Sequence, residues 1–308
     1  MGLPPDLAKL AARVSTWGKW GAEDRRGTLN YLDDAAVARG LAAARTGKVF
    51  SLALPFGENG PQMNNIPGRN NPVIERNMVS MTWTGSGGAA WSDDHLDMGI
   101  QACTHWDTLS HCGYDGVLYN NVPSSVITAE EGATTFNIGD VGTVVSRGVL
   151  LDVARALGLN RLPGSYEISG ADLEAARQHA GVELRAGDVL LVRTGQLAVF
   201  KSGERDEYSK VTPGIATTAI EWLVEQQCAA VAIDTLPFEP IDHATSDFTF
   251  PVQMILIRDV GMLLGELWDF DELAADCAKD GIYDCLLVAN PLPIVNGIGG
   301  PLAPVAIK

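Results

Sequence analysis

Four residues whose side chains could perform chemistry lie within the segment "QACTHWDTLSH": Gln101, His105, Asp107 and His111. Side chains alternate along a strand, so His105 and Asp107, two residues apart, would point to one face and could bind the same divalent ion. Gln101 could join them only if the chain curves, because four extended residues span about 13 Å. His111 could fold back if the chain turns after Asp107. The spacing predicts half of a metal site, and a structural hydrogen-bonded pair is the alternative for a lone His-x-Asp.

Two cysteines of the same region, Cys103 and Cys112, raise a second mechanism. A thiolate paired with His105 or His111 could attack a carbonyl directly. Cys112 directly follows His111, and adjacent residues on a strand face opposite ways. Cys103 would share the face of His105, where a small packing residue is the alternative interpretation.

Three tryptophans lie in or shortly before this segment: Trp83, Trp91 and Trp106. Aromatic walls in a concave pocket favour flat, apolar substrates, so we predict that these residues bind substrate. A place in the core is the alternative for each, and Trp106 would face away from His105 on a strand. His243, in the polar loop "EPIDHATSD", is a further candidate for the pocket, since loops beside a rigid scaffold often supply site residues.

The elements that must position these residues are short apolar runs alternating with helical patterns. "GDVLLVRTG" and "AAVAIDT" are apolar on both faces, which is typical of buried strands. "SGADLEAARQHAG" has helical periodicity, with Ser169 as the predicted N-cap and Gly181 as the C-terminal stop. We therefore predict an α/β fold in which a central, barrel-like mixed sheet is flanked by helices.

One domain is expected over residues 1–308, with an N-terminal helical arm over about 1–48. The segment of about 54–72 is dense in Gly, Asn and Pro, so it should be a long surface loop, of the kind that often acts as a lid.

Composition excludes several classes of protein. The net charge of −16 comes from 38 acidic against 22 basic residues, so the surface would repel phosphate backbones and nucleic-acid binding is not expected. No apolar run is long enough to cross a membrane, and the N-terminus lacks the apolar core of a signal peptide. Five cysteines without a CxxC pair fit reduced thiols. We expect a cytoplasmic protein that acts on a small molecule.

The segment "QACTHWDTLSH" resembles the signature of the cyclase family, which includes bacterial kynurenine formamidases, isatin hydrolases and trans-dienelactone hydrolases. That signature is written H-x-G-T-H-x-D-x-P-x-H. Thr104, His105, Asp107 and His111 match it, whereas Gln101, Cys103 and Leu109 depart. "WGAEDRRGTLNYL", "GMLLGELWDFDEL" and "LLVANPLPIVNGIGGPLAPVAI" resemble other parts of the family's long branch, so the likeness covers nearly the whole chain.

The resemblance implies a barrel-containing, swivelling β/β/α fold, usually a homodimer or homotetramer, with one or two divalent ions that activate water. By position, the first metal ligands fall on Gln101, His105 and Asp107, and the catalytic histidine falls on His111. The later positions fall on Gln253 and Glu266.

The resemblance gives Glu266 one of two roles, either as a further ligand or as a catalytic partner that fixes an imidazole tautomer. A carboxylate at the start of a helix is the alternative interpretation. The family normally has glycine at Cys103, which favours a packing role there.

Histidines stand at both glutamine positions in the better-known members. Replacing two imidazoles by neutral amide oxygens should weaken zinc binding, so Mn²⁺ is favoured and Zn²⁺ is the alternative. We expect a metal-dependent hydrolase that opens an amide, lactam or lactone bond of a small, planar molecule. The alternatives are a cyclase or dehydratase that uses the same site without tight metal, and a non-catalytic small-molecule-binding protein.

Overall fold

The computed structural model describes residues 2–64, 66, 68–75, 94–242 and 249–308, together with the backbone of residues 81–82 and 90–91. Two of the predicted substrate-binding residues, Trp83 and His243, and the side chain of a third, Trp91, lie outside this description.

The strands of the described residues are short, and the longest has eight residues. They are β1 Val49–Ser51, β2 Val73–Glu75, β3 Met81–Thr82, β4 Ala90–Trp91, β5 His95–Asp97, β6 His105–Asp107, β7 Ile127–Thr128, β8 Gly132–Ala133, β9 Val145–Asp152, β10 Glu167–Ile168, β11 Val189–Arg193, β12 Val211–Thr212, β13 Gly214–Ile215, β14 Ala230–Ile233, β15 Ile241–Asp242, β16 Leu263–Glu266, β17 Asp284–Val288, β18 Gly299–Pro301 and β19 Val305–Ile307.

The helices lie mainly between strands of the second half and in the N-terminal arm. They are α1 Pro5–Val14, α2 Asp34–Ala43, α3 Ile138–Val141, α4 Val153–Ala156, α5 Gly170–Ala180, α6 Leu197–Lys201, α7 Arg205–Tyr208, α8 Ile220–Glu225, α9 Pro251–Gln253 and α10 Asp271–Asp280. Short 3₁₀ turns cover Gly27–Tyr31, Tyr119–Asn121, Ser124–Val126 and Thr217–Ala219, and a π-helix covers Met254–Asp259.

Nine of the strands in the described part of the chain form one mixed sheet in the order β1-β19-β17-β9-β11-β14-β16-β6-β18. The sheet curls into a half-barrel flanked by helices, which confirms the predicted fold class. Its central strands β9, β11, β14 and β16 run parallel. The side chains of β11 and β14 are buried on both faces, as the apolar runs predicted.

Local sequence signals account for the best-defined helix. In α5, Ser169 accepts from the backbone N–H of Asp172, and the Asp172 carboxylate accepts from the backbone N–H of Ser169, which makes a capping box. Gly181 ends the helix in the left-handed conformation with φ 64°.

Buried apolar residues lie on both faces of the sheet, in two large clusters. The site strands β6 and β16 lie between these clusters and are therefore rigidly supported.

Candidate metal centre

Two neighbouring strands bring three predicted site residues together. Strands β6 and β16 pair antiparallel, with Glu266 opposite His105 and Leu264 opposite Asp107. Because side chains alternate along a strand, His105, Asp107 and Glu266 share one face of the sheet. All three are buried, and one ligand atom from each lies within 4.8 Å of the others. This group, called here the metal cluster, has the geometry to hold one cation.

The hydrogen bond on the far side of His105 fixes its tautomer. Nδ1 lies 2.7 Å from the carbonyl oxygen of Cys103. A carbonyl oxygen can only accept, so Nδ1 carries a proton, and when the ring is neutral it presents the lone pair of Nε2 to the cluster. Nε2 lies 3.2 Å from Glu266 Oε2 and 3.5 Å from Asp107 Oδ1. An imidazole held in this way is prepared to ligate a metal.

Three atoms of the cluster are buried without a hydrogen-bond partner in the described part of the chain: His105 Nε2 and both carboxylate oxygens of Asp107. Leaving such groups unpaired is costly, and native structures rarely do so. A divalent cation between them would satisfy all three at once. The donor set of one imidazole and two carboxylates therefore fits a divalent metal.

The charges of the cluster are mutually dependent. Burial alone lowers the pKa of His105, but the carboxylates of Asp107 and Glu266 outweigh it and raise this pKa to about 9. Burial raises the pKa of Asp107, yet His111, His105 and Arg69 together hold it well below its usual range. Without a metal, His105 would therefore be an imidazolium between two carboxylates.

Glu266 lies at the end of β16 and is held by other groups as well. Its Oε1 accepts hydrogen bonds from the backbone N–H of Phe238 and from Nε2 of Gln253, both at 2.7 Å. Its Oε2 is thereby turned towards His105. The interpretation of Glu266 as a carboxylate at the start of a helix is wrong, because the residue ends a buried strand.

The residue after Glu266 adopts an unusual backbone conformation. Leu267 has φ 61°, in the left-handed region that a branched side chain rarely adopts. Its N–H donates to the carbonyl of Thr235, and its carbonyl accepts from Oγ1 of Thr104. These bonds hold the strained turn, and such strain concentrates at functional sites. The turn ends the strand immediately after the side chain of Glu266 enters the cluster.

His111 is the histidine of the segment with access to the exterior. A turn places its backbone N–H 3.0 Å from the carbonyl of Thr108, which brings Nδ1 to 3.5 Å from Asp107 Oδ1. Its side chain is 21% exposed, whereas that of His105 is fully buried. A group that exchanges protons with substrate and water needs such access, so the position suits a general acid and base.

Comparisons with known proteins show the family of the chain. A family model described as "Putative cyclase" matches residues 50–240, which is more than half of the chain. A solved structure described as a novel cyclase is 36% identical, has a TM-score of 0.88, and matches over 96% of this chain and 99% of that one. The chain belongs to the cyclase family.

More distant solved structures share the fold. Isatin hydrolase A from Ralstonia solanacearum is 19% identical with a TM-score of 0.63, covering 88% of this chain and 95% of that one. An isatin hydrolase bound to the product analogue thioisatinate is 17% identical with a TM-score of 0.60, covering 90% and 99%. No curated protein sequence matches the chain.

Among the described residues, no helix is long and apolar enough to cross a membrane.

The two glutamines predicted as metal ligands contact different residues. Gln253, at the end of α9, donates to Glu266 and is buried. Gln101 is half-buried, and its amide lies against Gly299, the residue of β18 that pairs with Asp107. A Cβ on residue 299 would approach Nε2 of Gln101 to 2.7 Å. Metal ligation by either amide stays a prediction, and the contact seen for Gln253 orients Glu266.

The prediction that Trp106 binds substrate is wrong. Trp106 is fully buried, and its indole Nε1 donates to the carbonyl of Ala289. Its ring packs on Trp268 with centroids 4.7 Å apart. Because it alternates with His105 and Asp107 along β6, it points into the core on the other face of the sheet.

The cysteine mechanism loses its chemical basis at both positions. Burial raises the pKa of the Cys103 thiol to about 11. Burial, with the nearby carboxylates of Glu239, Asp107 and Asp259, raises that of Cys112 to about 12. Neither thiol is a thiolate near neutral pH, so neither is prepared to attack a carbonyl.

Arg69 is a site residue that the sequence did not point out. It lies in the long loop of residues 54–72, and its Nη1 is 3.8 Å from Glu266 Oε2. The loop is tied to the site strands, because the backbone N–H of Leu54 donates to Thr104 Oγ1 and Nε2 of Gln62 donates to the carbonyl of Ala102. One signal was available: Arg69 is the single basic residue in this Gly- and Asn-rich segment.

Proposed function

We propose that this cyclase-family protein is a metal-dependent hydrolase that opens an amide, lactam or lactone bond of a small, planar molecule, with Mn²⁺ favoured over Zn²⁺. The observation that carries the proposal is the set of three buried atoms on His105 and Asp107 that have no hydrogen-bond partner among the described residues and face Glu266 at ligand distances. Without a metal, both carboxylate oxygens of Asp107 would be buried with no hydrogen-bond partner in the described part of the chain, which native structures rarely allow.

Each site residue has a separate role in such a hydrolysis. A divalent cation bound at the cluster supplies Lewis acidity, which polarises a carbonyl and lowers the pKa of water. His105, Asp107 and Glu266 would hold it, and Gln253 and the Phe238 N–H keep Glu266 aligned. His111 takes a proton from water as the water oxygen bonds to the carbonyl carbon.

The same histidine then completes the reaction. As the bond from the carbonyl carbon to the leaving nitrogen or oxygen breaks, protonated His111 gives its proton to that atom. The products are a carboxylic acid and an amine or alcohol. Asp107 Oδ1, 3.5 Å from His111 Nδ1, stabilises the imidazolium between the two steps.

The proposal is tested by metal analysis together with turnover. The purified protein is expected to hold about one Mn²⁺ or Zn²⁺ at the cluster, and His105→Ala should lose most of it, because the imidazole is the nitrogen ligand. A panel of one lactam, one formamide and one lactone, with isatin as the lactam because two structural relatives are isatin hydrolases, should show metal-dependent hydrolysis. Full metal content in His105→Ala would overturn the ligand assignment.

A lyase of the cyclase or dehydratase type is the second candidate, and one observation favours it. The pKa of His105 is raised to about 9 by the neighbouring carboxylates despite burial, so a protonated ring could serve as an acid without metal. Turnover that survives complete removal of metal would support this candidate over the hydrolase. A homodimer or homotetramer and a cytoplasmic location remain predictions from the sequence.

A further inference from the structure

We propose that Arg69 binds a carboxylate group of the substrate, so that the preferred substrates of this site are anions. The inference deepens the proposed function by naming a substrate class, and it rests on that function only where turnover is concerned. Binding of an anion depends on the position of Arg69 itself.

The guanidinium of Arg69 is poorly satisfied for a side chain that is only 15% exposed. Among the described residues, its one ion pair is the 3.8 Å contact with Glu266 Oε2, and no hydrogen bond from its guanidinium accompanies it. Two comparably buried arginines differ. Arg193 donates to Asp152, Asp271 and the carbonyl of Asn160, and Arg147 donates to Asp188 and the carbonyl of Glu183. In the part of the chain that the structure describes, no acceptor therefore engages the planar set of donors of Arg69.

Glu266, the ion-pair partner of Arg69 among the described residues, is also a residue that would bind the metal. Two carboxylates of the cluster, Asp107 and Glu266, balance the charge of one divalent cation. Arg69 then adds a positive charge that nothing in the cluster neutralises. A monoanionic ligand would compensate it, and a guanidinium binds a carboxylate in a two-pronged geometry that a neutral ligand cannot match.

A second donor without an acceptor lies near the same loop. Tyr208 lines a cavity of about 30 Å³ with Gln62, Met63 and Ile66 of the loop. Its hydroxyl is buried and has no hydrogen-bond partner in the described part of the chain. Burial, with the charges of Asp234 and Glu266, raises the pKa of Tyr208, so the hydroxyl stays protonated. With His105 Nε2 and the Asp107 oxygens facing a cation, these two donors favour a ligand rich in oxygen.

The first measurement is of binding, and it uses benzoate and its neutral isostere benzamide on the Mn²⁺-loaded protein and on metal-free protein. We expect Arg69→Gln to weaken benzoate binding by about 10- to 100-fold, the usual effect of losing a charged hydrogen-bonded pair, and to leave benzamide unchanged. Arg69→Lys keeps the charge but loses the planar pair of donors, so its affinity for benzoate should lie between those of the wild type and Arg69→Gln. Calorimetry on both ligands gives the comparison.

Arg13→Gln is the matched control, because it removes one positive charge from a side chain that is 57% exposed and paired with Glu221. It should change neither affinity. Metal content is the check on folding: Arg69→Gln should bind Mn²⁺ at least as tightly as the wild type, since a cation beside Glu266 is removed. If Arg69→Gln lost affinity for benzoate and benzamide equally, or lost its metal, the role of Arg69 would be only to hold the loop in place. Unchanged benzoate affinity would mean that the ion alone binds the anion. Each of these results overturns the proposal.

The second measurement separates this inference from the proposed hydrolysis. N-formylanthranilate and formanilide differ in one carboxylate, and kcat/KM is compared on both. We expect the wild type to prefer the anion and Arg69→Gln to lose that preference. If neither substrate is hydrolysed while the benzoate result holds, the hydrolase proposal fails on this substrate class and the role of Arg69 stands. If both are hydrolysed and Arg69→Gln slows both equally, the hydrolase stands and the role of Arg69 fails.

Discussion

Asp107→Asn should abolish the stabilisation of the fold by divalent metal. The substitution keeps the size of the side chain and removes the charge of a residue whose two buried oxygens have no partner among the described residues. An amide would present one weak oxygen ligand, and its NH₂ group would face the cation. Metal affinity should therefore fall steeply, although the fold keeps its packing.

The magnitude follows from linkage. Each tenfold increase of free metal above the dissociation constant stabilises the folded state by about 1.4 kcal/mol. A chain of 308 residues has an unfolding entropy of about 650 cal/mol/K at about 2.1 cal/mol/K per residue. The wild-type Tm should thus rise by about 2 °C for each tenfold increase in Mn²⁺. The Tm of Asp107→Asn should stay flat over the same concentrations.

The assay is thermal unfolding of chelator-treated protein across three decades of Mn²⁺ concentration. Asp234→Asn is the matched control, because Asp234 is also a buried carboxylate at a strand end. Its oxygens accept from the N–H and Oγ1 of Thr194 and from the N–H of Gly195. That variant should have a lower Tm at every concentration but keep the wild-type slope. A wild-type slope in Asp107→Asn would refute the assignment of Asp107 as a ligand.

Three further results are expected. His111→Ala should lower kcat by about two to four orders of magnitude while metal content stays the same, because it removes the general acid and base; steady-state kinetics with metal analysis checks this, and an active variant would move the role elsewhere. Cys103→Ala and Cys112→Ala should each keep wild-type kcat, since both thiols are protonated near neutral pH; a loss of more than about tenfold would reopen the thiolate mechanism. Gln101→His combined with Gln253→His should raise zinc affinity relative to manganese if the amides ligate; competition binding decides, and a loss of kcat/KM with unchanged metal preference would assign the amides to substrate instead.

The part of the site that sequence could predict is the part encoded within a few residues. The two-residue spacing of His105 and Asp107 places both on one face of any strand, and the structure puts them on β6. The same alternation rule placed Trp106 opposite them, so its place in the core followed from the spacing. Its assignment to the pocket relied instead on the general enrichment of aromatic residues in binding sites.

The part that could not be predicted from spacing depends on strand pairing over long distances. Glu266 joins the cluster because β16 pairs with β6 in a register that sets it opposite His105, 161 positions away in the chain. No local periodicity predicts that register, and the family resemblance supplied the residue with two alternative roles. Arg69 enters from a loop, where backbone direction follows from many weak turn preferences. The fold class was easier to predict, because buried parallel strands have continuous apolar runs in their sequence.

The hydrogen bond between Gln253 and Glu266 gives the glutamine a role that does not require ligation. A carboxylate oxygen only accepts, so the amide must present its NH₂ group to Oε1. Together with the Phe238 N–H, this contact saturates Oε1 and leaves Oε2 as the oxygen available to a cation beside His105. An imidazole at residue 253 could make the same donation or ligate metal, but not both through one nitrogen. A glutamine there therefore keeps Glu266 aligned, and it leaves the cluster with one nitrogen donor and an oxygen-rich set of ligands.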